Sequence, residues 1–293
     1  MGKRIFYACQ AVGINDTVVH GVQSVGINTT FNLEQVFEIG MITIYENIEN
    51  IPDVEVTLEK VLDGYPLMYK LATGGSTLTQ AVGQTSKVAL SIFDDTQTAA
   101  TGVPVATCTM SGLVVSQVSY KANVNGNITE TLSLVGNNKK WQTLWNSNFP
   151  TGDTPSYSGG VLRRQHINIS GSTIPACIPA NSVFQSVTAS ANINREQILE
   201  LGRKTPYLRY AKFPVEITSD FEILARNGDQ ITVYEDQNNL VNYSIILSFS
   251  DGTVINMGTK NKLRSANYQG GGTDGNNATI VYSFATFNDF TVS

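Results

Sequence analysis

Charge is scarce in this chain. Asp, Glu, Lys and Arg make up 15% of its 293 residues, against roughly 25% in an ordinary soluble domain. Thr, Ser, Asn and Gln carry the polar duty instead, which suits sheet surfaces largely covered by neighbours. The net charge of -5 leaves no basic stripe to neutralise phosphate, which argues against a dedicated nucleic-acid binder. It is compatible with a surface that nucleic acid passes without sticking. Histidine is rarer still: His20 and His166 stand apart, and neither belongs to an HExxH motif or to the base–carboxylate–nucleophile set of a triad. Asp16 near His20 reads as turn polarity. Cys9, Cys108 and Cys177 form no CxxC pair, so neither a zinc site nor a disulfide framework is expected, and free thiols in a reducing cytosol fit better. No window approaches the 18 or so apolar residues of a membrane span. Lys3-Arg4 ahead of Ile5 to Cys9 is too short for a lipoprotein signal, and Phe6 stands where myristoylation requires Ser or Thr. No targeting segment and no membrane insertion are expected.

The remaining chemical candidates are equally thin. Asp94-Asp95 would point to opposite sides of a strand and could not converge as an acid/base pair. Gly74-Gly75-Ser76 has no Walker lysine, and Gly270-Gly271-Gly272 falls inside a hairpin rather than between strand and helix. No aromatic cluster of an RNA-recognition module is visible. The expectation is a non-enzyme without cofactor or metal.

What the chain does contain is repetition. Gln23-Ser24-Val25 recurs as Gln185-Ser186-Val187, and Asn32-Leu33-Glu34-Gln35-Val36-Phe37-Glu38-Ile39-Gly40 recurs as Asn194-Arg195-Glu196-Gln197-Ile198-Leu199-Glu200-Leu201-Gly202. Thr43 meets Thr205, Tyr45 meets Tyr207, and Val54-Glu55-Val56-Thr57 meets Val215-Glu216-Ile217-Thr218. Such a period far exceeds the roughly 20–50 residues of solenoids and propellers, so it reads as a duplicated domain. A stretch rich in Pro, Gly, Ser and Thr, from Asn146 to Gly160, separates the copies. The expected organisation is a first module over 1–147, a linker over 148–160 and a second module over 161–293. Trp141 and Trp145 are expected to close the first module by packing.

Within each copy the pattern has period two. Val54, Val56 and Leu58 alternate with Glu55, Thr57 and Glu59, as Tyr243, Ile245, Leu247 and Phe249 do with Ser244, Ile246, Ser248 and Ser250. Val88, Leu90 and Ile92 repeat the pattern. Asp251-Gly252 and Asn125-Gly126 are hairpin turns. Tyr120 and Tyr268 hold equivalent places ahead of the closing hairpins, the second of which has a longer tip. The Asn-x-Glu-Gln segment reads as a turn or short helix, with Asn32 as cap and Gly40 as end; Ser76 to Gly83 is a second, weaker helix candidate. Glu34 and Glu38 recur as Glu196 and Glu200. They are either solvated carboxylates kept after duplication or a shared acidic wall that repels DNA phosphate within about 8–10 Å.

The run from Asn194 to Arg203, continued by Tyr207-Leu208-Arg209-Tyr210 and Phe213-Pro214-Val215-Glu216-Ile217-Thr218, resembles the tail tube proteins of tailed bacteriophages. The Ser119 to Asn127 hairpin is similar to one in that family. The resemblance covers most of both modules, and baseplate hub and tube-terminating proteins share the module. It implies a mainly β fold: two tandem tube-type β-sandwich or β-barrel modules with minor helix, related by internal duplication. It also implies rings, with long hairpins from six modules forming one barrel around a lumen. Most tube subunits resemble one module, whereas this chain carries two. Three chains in a pseudo-hexameric ring are therefore expected, against six chains with the second module outside. The implied partners are further copies of itself, tape-measure and baseplate proteins, a sheath where the tail has one, and DNA in non-specific transit. The implied place is the virion tail, assembled in the host cytoplasm. A baseplate hub or tail-completion protein, or a two-domain β-sandwich carbohydrate-binding protein, are the alternatives. Glu34, Glu38, Glu196 and Glu200 are the expected lumen-facing residues.

Overall fold

A computed structural model describes residues 5, 7–81, 83–94, 104–143, 160–169, 174–179, 181–235, 241–271 and 277–293. The expected boundary at 147 and all of the expected linker but Gly160 lie outside the described residues, as do Trp145, Asp95 and the middle of the long hairpin tip. The chain is mainly β, with 54% strand and 6% helix.

The first half opens with β1 (Gln10–Ile14) and β2 (Thr17–Val18), then β3 (Val22–Thr30), β4 (Leu33–Phe37), β5 (Ile44–Glu49) and β6 (Asp53–Val61). Two short helices follow, α1 (Met68–Thr73) and α2 (Leu78–Ala81). After them come β7 (Ser86–Ile92), the long β8 (Ala106–Asn123), β9 (Thr129–Gly136) and β10 (Asn138–Gln142). The second half holds β11 (Ile167–Asn168), β12 (Phe184–Asn192), β13 (Arg195–Ile198), β14 (Leu208–Ala211) and β15 (Glu216–Leu224). It ends with β16 (Ile246–Phe249), β17 (Val254–Asn256), β18 (Lys262–Gln269), β19 (Thr279–Phe287) and β20 (Thr291–Val292).

The main sheet follows from the alternation. Val54, Val56 and Leu58 are buried, while Glu55, Thr57 and Glu59 lie on the other face of β6. β3 pairs with β6, β6 with β9 and β9 with β8, all antiparallel. The second half repeats this order: β12 pairs with β15, β15 with β19 and β19 with β18. The irregularities repeat as well. The register slips at Val22/Ser24 and at Phe184/Ser186, and again at Val115/Gln117 and at Leu263/Ser265. Bulges bend a strand at a set place, so the two four-strand sets share curvature as well as order.

One face of this sheet is covered. Over the first set lie α1, β1 and β7; over the second lies the small sheet β11-β16-β17-β20, whose Ile245, Leu247, Phe249, Ile255 and Val292 are buried. β7 is covered on both sides, so Ala89 and Ser91 are buried along with Val88 and Leu90, and the simple alternation expected there gives way. A single apolar cluster runs through both halves. Inside it, Glu130 completes α1. Leu67 supplies no side-chain cap, and the Glu130 carboxylate accepts the N–H groups of Met68 at 2.7 Å and Tyr69 at 3.0 Å, plus the Tyr120 hydroxyl at 2.8 Å. Burial pushes the Glu130 carboxyl up. The buried Lys60 sits nearby, donating to the Pro66 carbonyl and to Asp63, each at 3.2 Å. Two N–H bonds to one buried carboxylate thus fix the start of a six-residue helix too short to persist alone.

One expectation is corrected. The Asn-x-Glu-Gln segments are not helical; they are the outgoing arms of hairpins, β4 paired with β5 and β13 with β14. A helix of two turns has little cooperative support, whereas these arms continue the β3/β6 and β12/β15 ladders. Gly40 and Gly202, at φ of 93° and 83°, take the left-handed conformation the turns require. Trp141, expected to pack, lies half exposed on β10.

Candidate functional site

The two four-strand sets are not separate. The C-terminal half of β8 has β9 on one side and β12 on the other, with Gln117 to Asn123 facing Asn192 to Ser186. The result is one eight-strand sheet in the order β3-β6-β9-β8-β12-β15-β19-β18. Among the described residues its two outer strands pair on one side only: β3 with β6 and β18 with β19. An open strand edge is a template for another strand.

The composition of those edges follows from their place. Val187, Ala189 and Ala191 in β12 are buried beneath β8, while their register equivalents Val25, Ile27 and Thr29 in β3 remain partly exposed. Tyr120 of β8 is 1% exposed and its equivalent Tyr268 of β18 is 52% exposed. Just beyond β12, Ile193 is buried and its N–H donates to the Ser116 carbonyl at 2.7 Å; its equivalent, Phe31, is 72% exposed. The same strands thus occur twice, once covered and once bare.

The uncovered face of the sheet is mostly polar, with Val135 and Val281 among its outward positions. It presents Ser24, Asn28, Thr57, Thr131, Ser133, Ser119, Thr188, Ser190, Thr218, Ser283 and Asn267 on alternate positions. Its charged members are Glu55, Glu59, Glu216, Asp220 and Glu222, with Lys121 and Lys262 as cations and Arg264 reaching in from β18. Glu222 accepts the Ser186 hydroxyl at 2.8 Å, and Glu216 pairs with Arg264 at 2.8 Å. Sequence repetition pointed instead to Glu34, Glu38, Glu196 and Glu200. These lie on the projecting hairpins, Glu38 and Glu200 in the tips, and all four are exposed. Glu196 accepts the Tyr210 hydroxyl at 2.8 Å, a bond that raises the phenol. The face residues were missed because each looks like an ordinary outward strand position; their signal was the alternation itself, applied to every strand together.

Residues 8–137 match the family model of the Phi812 tail tube protein. The match supports a phage tail tube protein. It starts just before β1 and ends just after β9, so it takes in the whole first four-strand set of the sheet and part of its cover. A search of curated proteins found no match.

The hairpins project beyond the sheet. β3 and β12 run in the same direction, so both hairpins leave the sheet at the same end. They carry exposed apolar side chains: Phe37, Ile39, Met41 and Ile42 on the first, Leu199, Leu201, Tyr207 and Leu208 on the second. Their bases touch. Gln197 donates to Asp53 at 3.1 Å, Arg209 pairs with the same carboxylate and donates to Asn137 at 3.2 Å. Arg195 donates to the Val115 carbonyl at 2.7 Å; burial lowers its guanidinium to about 10, still cationic at neutral pH.

The chemistry-bearing residues do not converge. His20 stacks on Tyr65 at 4.3 Å, and His166 Nδ1 accepts the Arg163 N–H at 3.0 Å. Asp16 pairs with Lys87 at 3.0 Å. Cys9 and Cys108 are buried and Cys177 is partly buried, all as free thiols. Among the described residues no cluster of three His, Cys, Asp or Glu could hold a metal, and no helix is long and apolar enough to cross a membrane.

Proposed function

We propose that three copies of this chain close into one pseudo-hexameric ring, β18 of each pairing with β3 of the next, and that such rings stack into a tail tube that conducts DNA during ejection. The observation that carries this reading is the β8–β12 junction, an in-chain example of the contact that the bare edges need. Carrying its register across the duplication sets Asn28 opposite Asn267, Ile27 opposite Tyr268 and Thr29 opposite Ala266, antiparallel as at Ser190–Ser119, Ala189–Tyr120 and Ala191–Val118. The shared strand orders and bulges support descent of both halves from one module.

Size favours three copies. Eight strands at about 4.8 Å each span about 38 Å, so three copies give a barrel about 37 Å across at the backbone. Side chains reaching about 5 Å inward from each wall leave about 27 Å, room for duplex DNA, whereas two copies leave only about 14 Å. The polar, acidic sheet face lines this bore, with Glu34, Glu38, Glu196 and Glu200 at its mouth. Like charge keeps phosphate off the wall. The role is structural and involves no catalysis; tape-measure, baseplate and sheath proteins are the further partners, and assembly precedes packaging in the host cytoplasm. The hairpin tips, all at one end, reach the next ring, which covers their apolar side chains.

The test is a chain carrying Asn28→Cys and Asn267→Cys. Oxidation of assembled particles should give a covalent trimer on non-reducing gels, and each single variant only background. A six-copy covalent ring, or symmetry-averaged images with the second half outside the barrel, would overturn the arrangement. One ring per virion in place of many would move the protein to the baseplate hub or tail-completion position.

A further inference from the structure

We infer that the two hairpins are an opposite-charge pair, and that the acidic hairpin of one copy docks beside the basic hairpin of the next. This rests on the ring reading above. The repeated segments kept their strands and tips but not their charge. From Leu33 to Glu49 the first hairpin carries Glu34, Glu38, Glu46 and Glu49 and no Lys or Arg. From Arg195 to Ala211 the second carries Arg195, Arg203, Lys204 and Arg209 against Glu196 and Glu200, and Lys212 follows at once. Glu46 and Glu49 thus stand at the register places of Leu208 and Ala211.

Within the chain the opposite signs already meet. Arg209 reaches across to Asp53 at the base of the first hairpin, so side chains bridge the gap left by the two intervening strands, β9 and β8. Across the proposed boundary the intervening strands are β19 and β18, so the spacing repeats. There the equivalent of Arg209 is Asn47 and that of Gln197 is Gln35. The sheet register sets Asn192 opposite Glu216 as it sets Thr30 opposite Asp53, which shifts the sequence alignment of this strand by two residues. Glu216, which Arg264 already pairs, is therefore the equivalent of Asp53. The point clasp therefore weakens to an amide on a carboxylate. The opposite fields of the hairpins take over its role, within reach of a screening length of about 8–10 Å.

The consequence is order. In a ring where first and second halves alternate, every acidic hairpin has a basic one on both sides. A ring of first halves alone would set Glu34, Glu38, Glu46 and Glu49 beside their own copies. Complementary charge raises the encounter rate of correct neighbours and suppresses like-charged ones.

Three chains test this: one with Arg203→Glu and Lys204→Glu, one with Glu34→Lys and Glu38→Lys, and one with all four. Every change sits on an exposed hairpin, and far-UV circular dichroism checks the fold. At low salt each double variant should assemble about tenfold more slowly by light scattering. The fourfold swap should return to within about threefold of the parent, and all differences should vanish near 1 M salt, where the screening length is about 3 Å. Parent rings that cross-link through Asn28 and Asn267, combined with double variants that assemble at the parent rate, overturn this inference alone. So does a fourfold swap that is slower than either double variant. A parent that makes no rings overturns the ring reading and this inference with it.

Discussion

The covered junction between β8 and β12 and the bare edges β18 and β3 are built from corresponding strands in corresponding register, yet they differ in exposure at almost every inward position. Val118, Tyr120, Val187 and Ala189 are buried; Ala266, Tyr268, Val25 and Ile27 are not. Local sequence does not explain the difference, since Ile27 and Tyr268 are at least as apolar as Ala189 and Tyr120. What differs is the presence of a neighbouring strand. On the ring reading proposed above, a monomer that leaves Phe31, Tyr268 and two apolar hairpins in water is a piece of a larger sheet, and the in-chain junction is the pattern for its completion.

Matched substitutions break the comparison most sharply. Ala189→Asp puts a charge at a wholly buried site facing Tyr120 and should remove at least about 5 kcal/mol, enough to unfold the chain. Ile27→Asp at the equivalent bare position should cost the monomer about 1 kcal/mol and yet abolish rings. Urea titration gives the first quantity and negative-stain microscopy the second. Equal stability losses at the two sites would show that β3 is covered within the monomer and would remove the reason for closure.

How much of this was legible in the sequence depends on the range of the force involved. The alternating strands of the sheet and the closing hairpins rest on local patterns, and Val54-Glu55-Val56-Thr57 declares its two faces unaided. The hairpin arms were misread because Leu33, Val36 and Phe37 fit a short helix as well as a strand; the ladder that decides between them comes from β5, the other arm of the same hairpin, which is wholly exposed and so shows no alternation of burial. α1 passed unnoticed because its cap is Glu130, 62 positions from Met68. The polar sheet face was readable in principle. Repetition drew the eye to Glu34, Glu38, Glu196 and Glu200, whereas the sheet face depends on which strands become neighbours, above all on β8 meeting β12.

A second matched pair separates packing from assembly. Tyr120 is buried and hydrogen-bonded to Glu130, so Tyr120→Ala should destabilise the monomer by about 4 kcal/mol through cavity formation and a lost partner. Tyr268→Ala, at a half-exposed ring, should cost the monomer under about 1 kcal/mol. Its effect should appear in the critical concentration for ring formation, raised by about tenfold as one aromatic anchor is lost from the new interface. Sedimentation velocity across a dilution series reads this directly. An unchanged critical concentration would mean that Tyr268 faces solvent in the assembled ring too, and that the register carried over from β8–β12 is wrong.

The smallest expected effect comes where the two halves should behave alike. Gly40 and Gly202 both hold the left-handed conformation at the hairpin tips, and a Cβ would meet nothing within 4 Å at either. Gly40→Ala and Gly202→Ala should therefore each cost only about 1 kcal/mol of local backbone strain, with no difference between them in the monomer. Such a loss falls on the hairpin and not on the core, so hydrogen exchange at residues 33–49 and 195–211 should accelerate in the respective variant while β6 and β15 keep their protection. If the tips stay free in the assembled particle, both variants form tubes as the parent does. If the next ring grips the tips in a fixed shape, both should give rings that fail to stack, and the two halves should fail to the same extent, because each contributes every second hairpin of the crown.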